Sequence, residues 1–574
     1  MEIQKKRSSF LDLIGGFILR FFIVIFTIFL FGCNFSSGKD TEIINLPQGD
    51  LVGFTDGDTD YFLGIPYAEP PIGANRFEPP KSHKGWKNIL DAKEAQKQCM
   101  QPQGEEGELS EFFEIFLTKS GMKWWEQVIL ENAAWLFASL DFEKQQSEDC
   151  LFINIMKPSE KENGLLPVMV WFHGGGYNFG NGDGLYITDR FAERGVILVT
   201  MNYRLGPFGF FAHPLLSDAS KMGVSGNYGT LDQIQALKWV QTNIHLFGGD
   251  PDNVTIFGES AGGASVETLV ATKLAKDLFH KAIAQSGYTV GRARNINEQK
   301  GDLISAESLG EKFFRSISGI ESPSIEDIKN LPADLFFETE KFEKENNSEQ
   351  AGWFPIEDKW VFDSPTQISF SEGRTNDVIY IAGFNANEGT NLSPFVFGEK
   401  LNEDDWIAQT WGLSDFSYLP LPEGVQIYGE GLEYSNERSA NELWGDLAFG
   451  GDGFFMVNQF ASNGGEAYLY YFEKGPSSDT QTLDAAHGLE LFYLFDNIVP
   501  FWPWKEIDDE IRDTMLGDWT DIAKYGKPRD EWQKFDPINP KAMHYGESID
   551  FKTPEKLSLY KSLEKVYLEE GKNF

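Results

Sequence analysis

The side chain best suited to covalent chemistry is a serine set among small residues, in "VTIFGESAGGASV" (254–266). A serine hydroxyl is a weak nucleophile near neutral pH. It needs a base to take its proton and donors to receive the charge that develops on an attacked carbonyl. Residues 254–257 read as a short buried strand, and 261–272 can form a helix. A sharp strand-to-helix turn through Gly258-Glu259-Ser260 would lift the hydroxyl of Ser260 clear of a sheet. It would also leave the N–H of Ala261 free to donate. Glycine is needed beside such a turn because side chains would collide there. Gly-x-Ser-x-Gly is nevertheless short, and the chain holds 57 glycines in 574 residues, so a structural turn stays open on this stretch alone.

A second stretch supplies what the serine would need. "VWFHGGGYNFG" (170–180) sets His-Gly-Gly-Gly between an apolar run and aromatics. Consecutive glycines let the backbone bend until its N–H groups converge on one point, which a developing oxyanion requires. Gly175 and Gly176 are the candidate donors, with Ala261. A flexible linker is the other use of glycine runs, but this run sits between a buried strand and aromatic residues. The base must be one of seven histidines: His83, His173, His213, His245, His280, His487 and His544. In the order nucleophile, acid, base the base comes last, and only His487 and His544 fit. His487, in "DAAHGLELFYLF", has small neighbours that would admit a substrate. His544, in "KAMHYGES", lies in a polar, loop-like stretch. His487 is the better candidate. No clustered His/Cys spacing suggests a metal, and neither a metal nor a cofactor is expected.

The elements that must hold these residues alternate. "LPVMVWF" (166–172) and "VILVTMNY" (196–203) read as strands, 227–244 as a helix, "VIYIAGF" (378–384) and "EAYLYYF" (466–472) as later strands, and 508–525 as a helix. This order predicts an α/β fold with a large, mostly parallel central sheet flanked by helices, and ligands on such sheets bind at the C-terminal strand ends. A hydrophobic content of 41% provides a sizeable core. The net charge of −39 argues against nucleic acid and against docking onto anionic lipid through surface charge.

At the N-terminus, Lys5, Lys6 and Arg7 precede an apolar run from Phe21 to Phe31, the length of a signal-peptide core and short for a membrane span. It ends in Leu30-Phe31-Gly32-Cys33, which resembles the bacterial lipobox, although Phe31 is larger than that pattern prefers. The expectation is a signal over 1–32, lipidation at Cys33, a tether over 33–45 and one domain over 46–574. The protein would then be an exported lipoprotein facing the periplasm or the cell exterior; an uncleaved anchor helix is the alternative. If Cys33 takes lipid, Cys99 and Cys150 are left to pair in an oxidising compartment. Residues 103–148 are acidic and aromatic with weak helical periodicity. They read as an insertion, either a surface helix or a lid over the site.

Taken together, "FLGIPYAEPPIGANRFEPP" (62–80), "SEDCLFINI" (147–155), "NYRLGPFGF" (202–210), "WVQTNIHLFGGDP" (239–251), "FGESAGGASV" (257–266) and "QSG" (285–287) resemble the type-B carboxylesterases, in that family's order and across most of 50–540. The resemblance implies an α/β-hydrolase fold with long insertions and a small-molecule carboxylic ester as substrate. It also implies Cys150 as the far end of a disulfide. In "IAGFNANEGTNL" (381–392) it assigns Glu388 as the acid, which the residues alone do not single out. Glu259, Ser286 and Glu490 fall near the implied catalytic centre. The 103–148 segment is longer than usual and leaves the family's choline-binding tryptophan unplaced. Thioester or amide cleavage, acyl transfer, and a silent binding protein on the same fold remain alternatives.

Overall fold

Alternating side chains on the strands bury both faces of one large sheet. In the computed structural model, Val168, Val170 and Phe172 enter one apolar cluster while Met169 and Trp171 enter another on the opposite face, as the twofold period of a strand requires. The structure describes residues 38–102, 108–127, 130, 146–160, 164–291, 293–300, 303–345, 352–392, 406–412, 422, 425, 436–496 and 500–570. Cys33 and the apolar run before it lie outside the described residues, as does most of the segment between 128 and 145.

The main sheet has twelve strands: β1 (Lys39–Asp40), β2 (Phe54–Asp56), β3 (Thr59–Pro66), β4 (Phe152–Pro158), β5 (Leu166–Phe172), β6 (Ile197–Met201), β7 (Gly249–Glu259), β8 (Lys281–Gln285), β9 (Ile379–Asn385), β10 (Ala467–Phe472), β11 (Ala542–Tyr545) and β12 (Ile549–Lys552). Their spatial order is β1-β2-β3-β4-β6-β5-β7-β8-β9-β10-β11-β12. Pairings from β6 through β11 are all parallel, and the outer ones are antiparallel. Among its helices are α1 (Glu108–Lys119), α2 (Tyr228–Asn243), α3 (Ala261–Ala271), α4 (Gly451–Ser462), α5 (Glu490–Phe495) and α6 (Glu506–Tyr525).

The predicted α/β sheet is therefore present, with three departures. The tether expected over 33–45 is too long: Lys39 and Asp40 pair with Thr55 and Phe54, and Ile44–Leu46 joins a small sheet with Gly49–Val52 and Leu90–Asp91. Backbone pairing, invisible in the polar composition of that stretch, ties the chain down before residue 46. The strand expected over 196–203 ends at Met201. Asn202 leaves it to accept from the Gly182 N–H at 2.7 Å, and the Tyr203 hydroxyl donates to the His173 carbonyl at 2.8 Å. Helix α3 stops at Ala271 because Thr272 turns to accept from the Leu274 N–H and cap the next short helix. Cys99 and Cys150 form a disulfide, both nearly fully buried.

Candidate active site

Strand β7 delivers Ser260 to the site. The strand ends at Glu259, Ser260 has φ 57° and ψ −121°, and α3 begins at Ala261. A non-glycine residue in that region is strained and persists only where its surroundings over-determine it. The surroundings are backbone at close range. A Cβ on Gly262 would lie 1.9 Å from the Phe172 carbonyl oxygen, and one on Gly263 would lie 2.3 Å from that of Gln285. The Ser260 N–H donates to the Gln285 carbonyl at 2.9 Å, so neighbouring β8 holds the turn.

The glycine run leaves β5 beside this turn. Gly175 has φ 103° and Gly176 φ 59°, conformations that a side chain would oppose. At Gly175 a Cβ would also meet the Phe179 carbonyl at 2.1 Å. Among the described residues, no acceptor within the chain takes the N–H of Gly175, Gly176 or Ala261. His173, which opens the run, is structural. It is buried, stacks on Tyr203 at 4.4 Å, and is pulled down to about 4 by burial.

His487 and Glu388 meet at the C-terminal ends of β9 and β10. His487 Nδ1 lies 2.6 Å from Glu388 Oε2. The other carboxylate oxygen, Oε1, accepts from the Ser286 hydroxyl and from the Asn385 N–H, both at 2.7 Å. Opposite a carboxylate, Nδ1 carries the proton, which leaves Nε2 of the neutral ring free to accept one. Glu259 Oε1 stands 3.1 Å from that Nε2. The two are not aligned, however, and Oε1 is left without a hydrogen bond. Ser260 Oγ makes no hydrogen bond to His487 among the described contacts; such bonds often tighten only when substrate binds. His544, the other candidate base, is buried in β11 with Nδ1 3.1 Å from Glu473 Oε2, away from Glu388.

Three buried carboxyl groups surround the imidazole. Burial pulls His487 down, but Glu259, Glu388 and Glu490 more than reverse this and hold it at about 9. Burial pushes Glu259 up to about 8 against the pull of His487, with Glu490 and Glu388 adding to the rise. Burial, then Glu388, pushes Glu490 up to about 7. Glu490 is held by side-chain amides: Asn385 donates to its Oε2 at 2.6 Å and Gln285 to its Oε1 at 3.3 Å.

The structure thus gathers Glu259, Ser286, Glu388, His487 and Glu490 into one network beside Ser260 and the glycine run. Sequence reasoning missed the asparagines that sew it together. Asn391 exchanges two hydrogen bonds with the backbone of His487, at 3.0 and 3.1 Å. Asn387 pairs with Ala485, and Asn385 donates to the Ala486 carbonyl. Three asparagines within seven residues around Glu388 were the available signal. Phe449, whose ring centre lies 4.5 Å from that of His487, left none.

Comparison with known proteins shows the family and the fold. The profile described as the carboxylesterase family matches residues 40–562. The para-nitrobenzyl esterase of Bacillus subtilis (strain 168) is 32% identical over 505 residues, covering 85% of this chain and 91% of its own. The liver carboxylesterase of Sus scrofa is 31% identical over 503 residues, covering 83% of each. Among solved structures, a PNB esterase superposes with a TM-score of 0.72 at 28% identity, over 91% of this chain and 99% of its own.

Proposed function

Because the chain belongs to the carboxylesterase family and is a serine hydrolase of carboxylic esters, we propose that Ser260, His487 and Glu388 carry that reaction. Ser260 attacks the acyl carbonyl while His487 Nε2 takes its proton. The Glu388 carboxylate holds the ring through Nδ1 and stabilises the imidazolium that forms. The N–H groups of Gly175, Gly176 and Ala261 receive the oxyanion. His487 returns the proton to the leaving alcohol, and a water repeats the sequence on the acyl-enzyme. The observation that carries this reading is the 2.6 Å contact between His487 Nδ1 and Glu388 Oε2 beside the strained Ser260. Ser260→Ala should lower turnover of p-nitrophenyl acetate by a factor on the order of 10⁶. A loss of less than tenfold would remove Ser260 from the role.

We further infer export and lipidation at Cys33, supported by the basic residues at 5–7, the apolar run 21–31 and the Leu-Phe-Gly-Cys stretch. Labelled palmitate should enter the wild-type chain and not Cys33→Ser. Equal labelling of both would exclude Cys33 as the lipidated residue.

A further inference from the structure

Helix α1, inside the segment read from sequence as a surface helix or a lid, ends on the two loops that carry Glu388 and His487. The Lys119 carbonyl accepts from the N–H groups of Thr482 and Leu483, at 2.8 and 3.1 Å. The Lys119 ammonium donates to the Thr390 carbonyl at 2.8 Å. Leu483 stands four residues before His487, and Thr390 two after Glu388. One residue therefore reaches both loops, one with its backbone and the other with its side chain. The contact continues beyond it. Ser478 donates to the Gly121 carbonyl at 3.2 Å, and a Cβ on Gly121, at φ 78°, would lie 2.4 Å from Ser478 Oγ. Phe116 and Leu117 are buried beneath, with Phe116 against Phe492 of α5.

The chemistry of these bonds suits a fixed clamp. The last carbonyls of a helix have no partner inside it, and here loop N–H groups satisfy one of them. A cation in the last turn is favoured by the helix dipole. A lid that swung on α1 would have to give up these main-chain bonds at each opening. We propose that 108–122 is a clamp on the catalytic loops and that Lys119 is a positioning residue, setting the distance between the Glu388 carboxylate and the His487 ring.

This inference rests on Glu388 and His487 being the acid and the base. The test therefore compares Lys119→Met, Lys119→Arg and Glu388→Gln in the full chain with p-nitrophenyl acetate. Turnover is divided by the amount of folded chain, taken from the size of each variant's thermal unfolding transition, so that a misfolded fraction does not enter. Lys119→Met should lower kcat about tenfold, within the range that small displacements of catalytic groups produce, and leave KM within twofold. Lys119→Arg should recover most of kcat, because a guanidinium can also donate to the Thr390 carbonyl. Unchanged kcat in Lys119→Met beside an inactive Glu388→Gln would overturn the clamp alone. A rise in KM at constant kcat would also overturn it and favour contact with substrate. Full activity of Glu388→Gln would instead remove the underlying triad.

Discussion

At the scale of single residues, the carboxyl groups around His487 set the pH at which it can act. The ring must be neutral to take a proton from Ser260, and its pKa stands at about 9 because three carboxyl groups outweigh its burial. The value of kcat/KM should therefore rise with pH up to about 9. Replacing Glu259, whose Oε1 is 3.1 Å from Nε2, with glutamine removes a group that raises the ring's pKa. The acid limb should then move to lower pH by about one unit, the lower end of what one adjacent charge produces. An unmoved limb in Glu259→Gln would show that this carboxyl does not govern the base. Ser260 and the glycine run were legible in the sequence because backbone crowding there admits few residue types. Glu388 was not, since dozens of acidic residues lie between Ser260 and His487; only the family resemblance selected it.

At the scale of elements, the site depends on how closely α3 sits against β5. Gly262 lets the helix approach until its Cα hydrogen meets the Phe172 carbonyl; a methyl group would have to fit within 1.9 Å of that oxygen. Gly262→Ala should push α3 away from the glycine run, lowering kcat by about 10²-fold and stability by about 1–3 kcal/mol. Steady-state kinetics and thermal melting check both, and a variant with wild-type kcat would show that the helix does not fix the oxyanion donors. The central strands were readable from apolar runs because both their faces are buried, as the burial of Val168–Phe172 shows. The end of β6 was not, because Asn202 leaves the strand to accept from the Gly182 N–H, and neither was the end of α3, where Thr272 accepts from the Leu274 N–H. The pairing of Lys39 and Asp40 escaped notice for a related reason: edge strands bury little and carry no apolar signature.

At the scale of the whole molecule, the net charge of −39 includes carboxyl groups buried far from water. Glu267 of α3 is fully buried beside Asp452 of α4; Thr289 donates to its Oε2 at 2.8 Å. Burial, then Asp452, raises its pKa well above the ordinary value. The folded state therefore keeps a proton that the unfolded chain releases above about pH 4.5. Its contribution is complete below that pH and is lost on raising it, at about 1.4 kcal/mol per pH unit until the folded group ionises. Glu267→Gln stays neutral throughout, and its amide can donate to Asp452. The variant should melt above the wild type in alkaline buffer, with the difference shrinking toward pH 4.5. A pH-independent difference would contradict the assignment.

Everything above requires Ser260 to be the nucleophile and His487 to make it one. The most direct test is an organophosphate reacted with the intact enzyme, followed by mapping of the modified peptide. One phosphoryl group per chain is expected, on Ser260, with esterase activity falling as the label is incorporated, and with both labelling and activity abolished in His487→Ala. A label on another serine that tracks the loss of activity, or full labelling of Ser260 in His487→Ala, would contradict it.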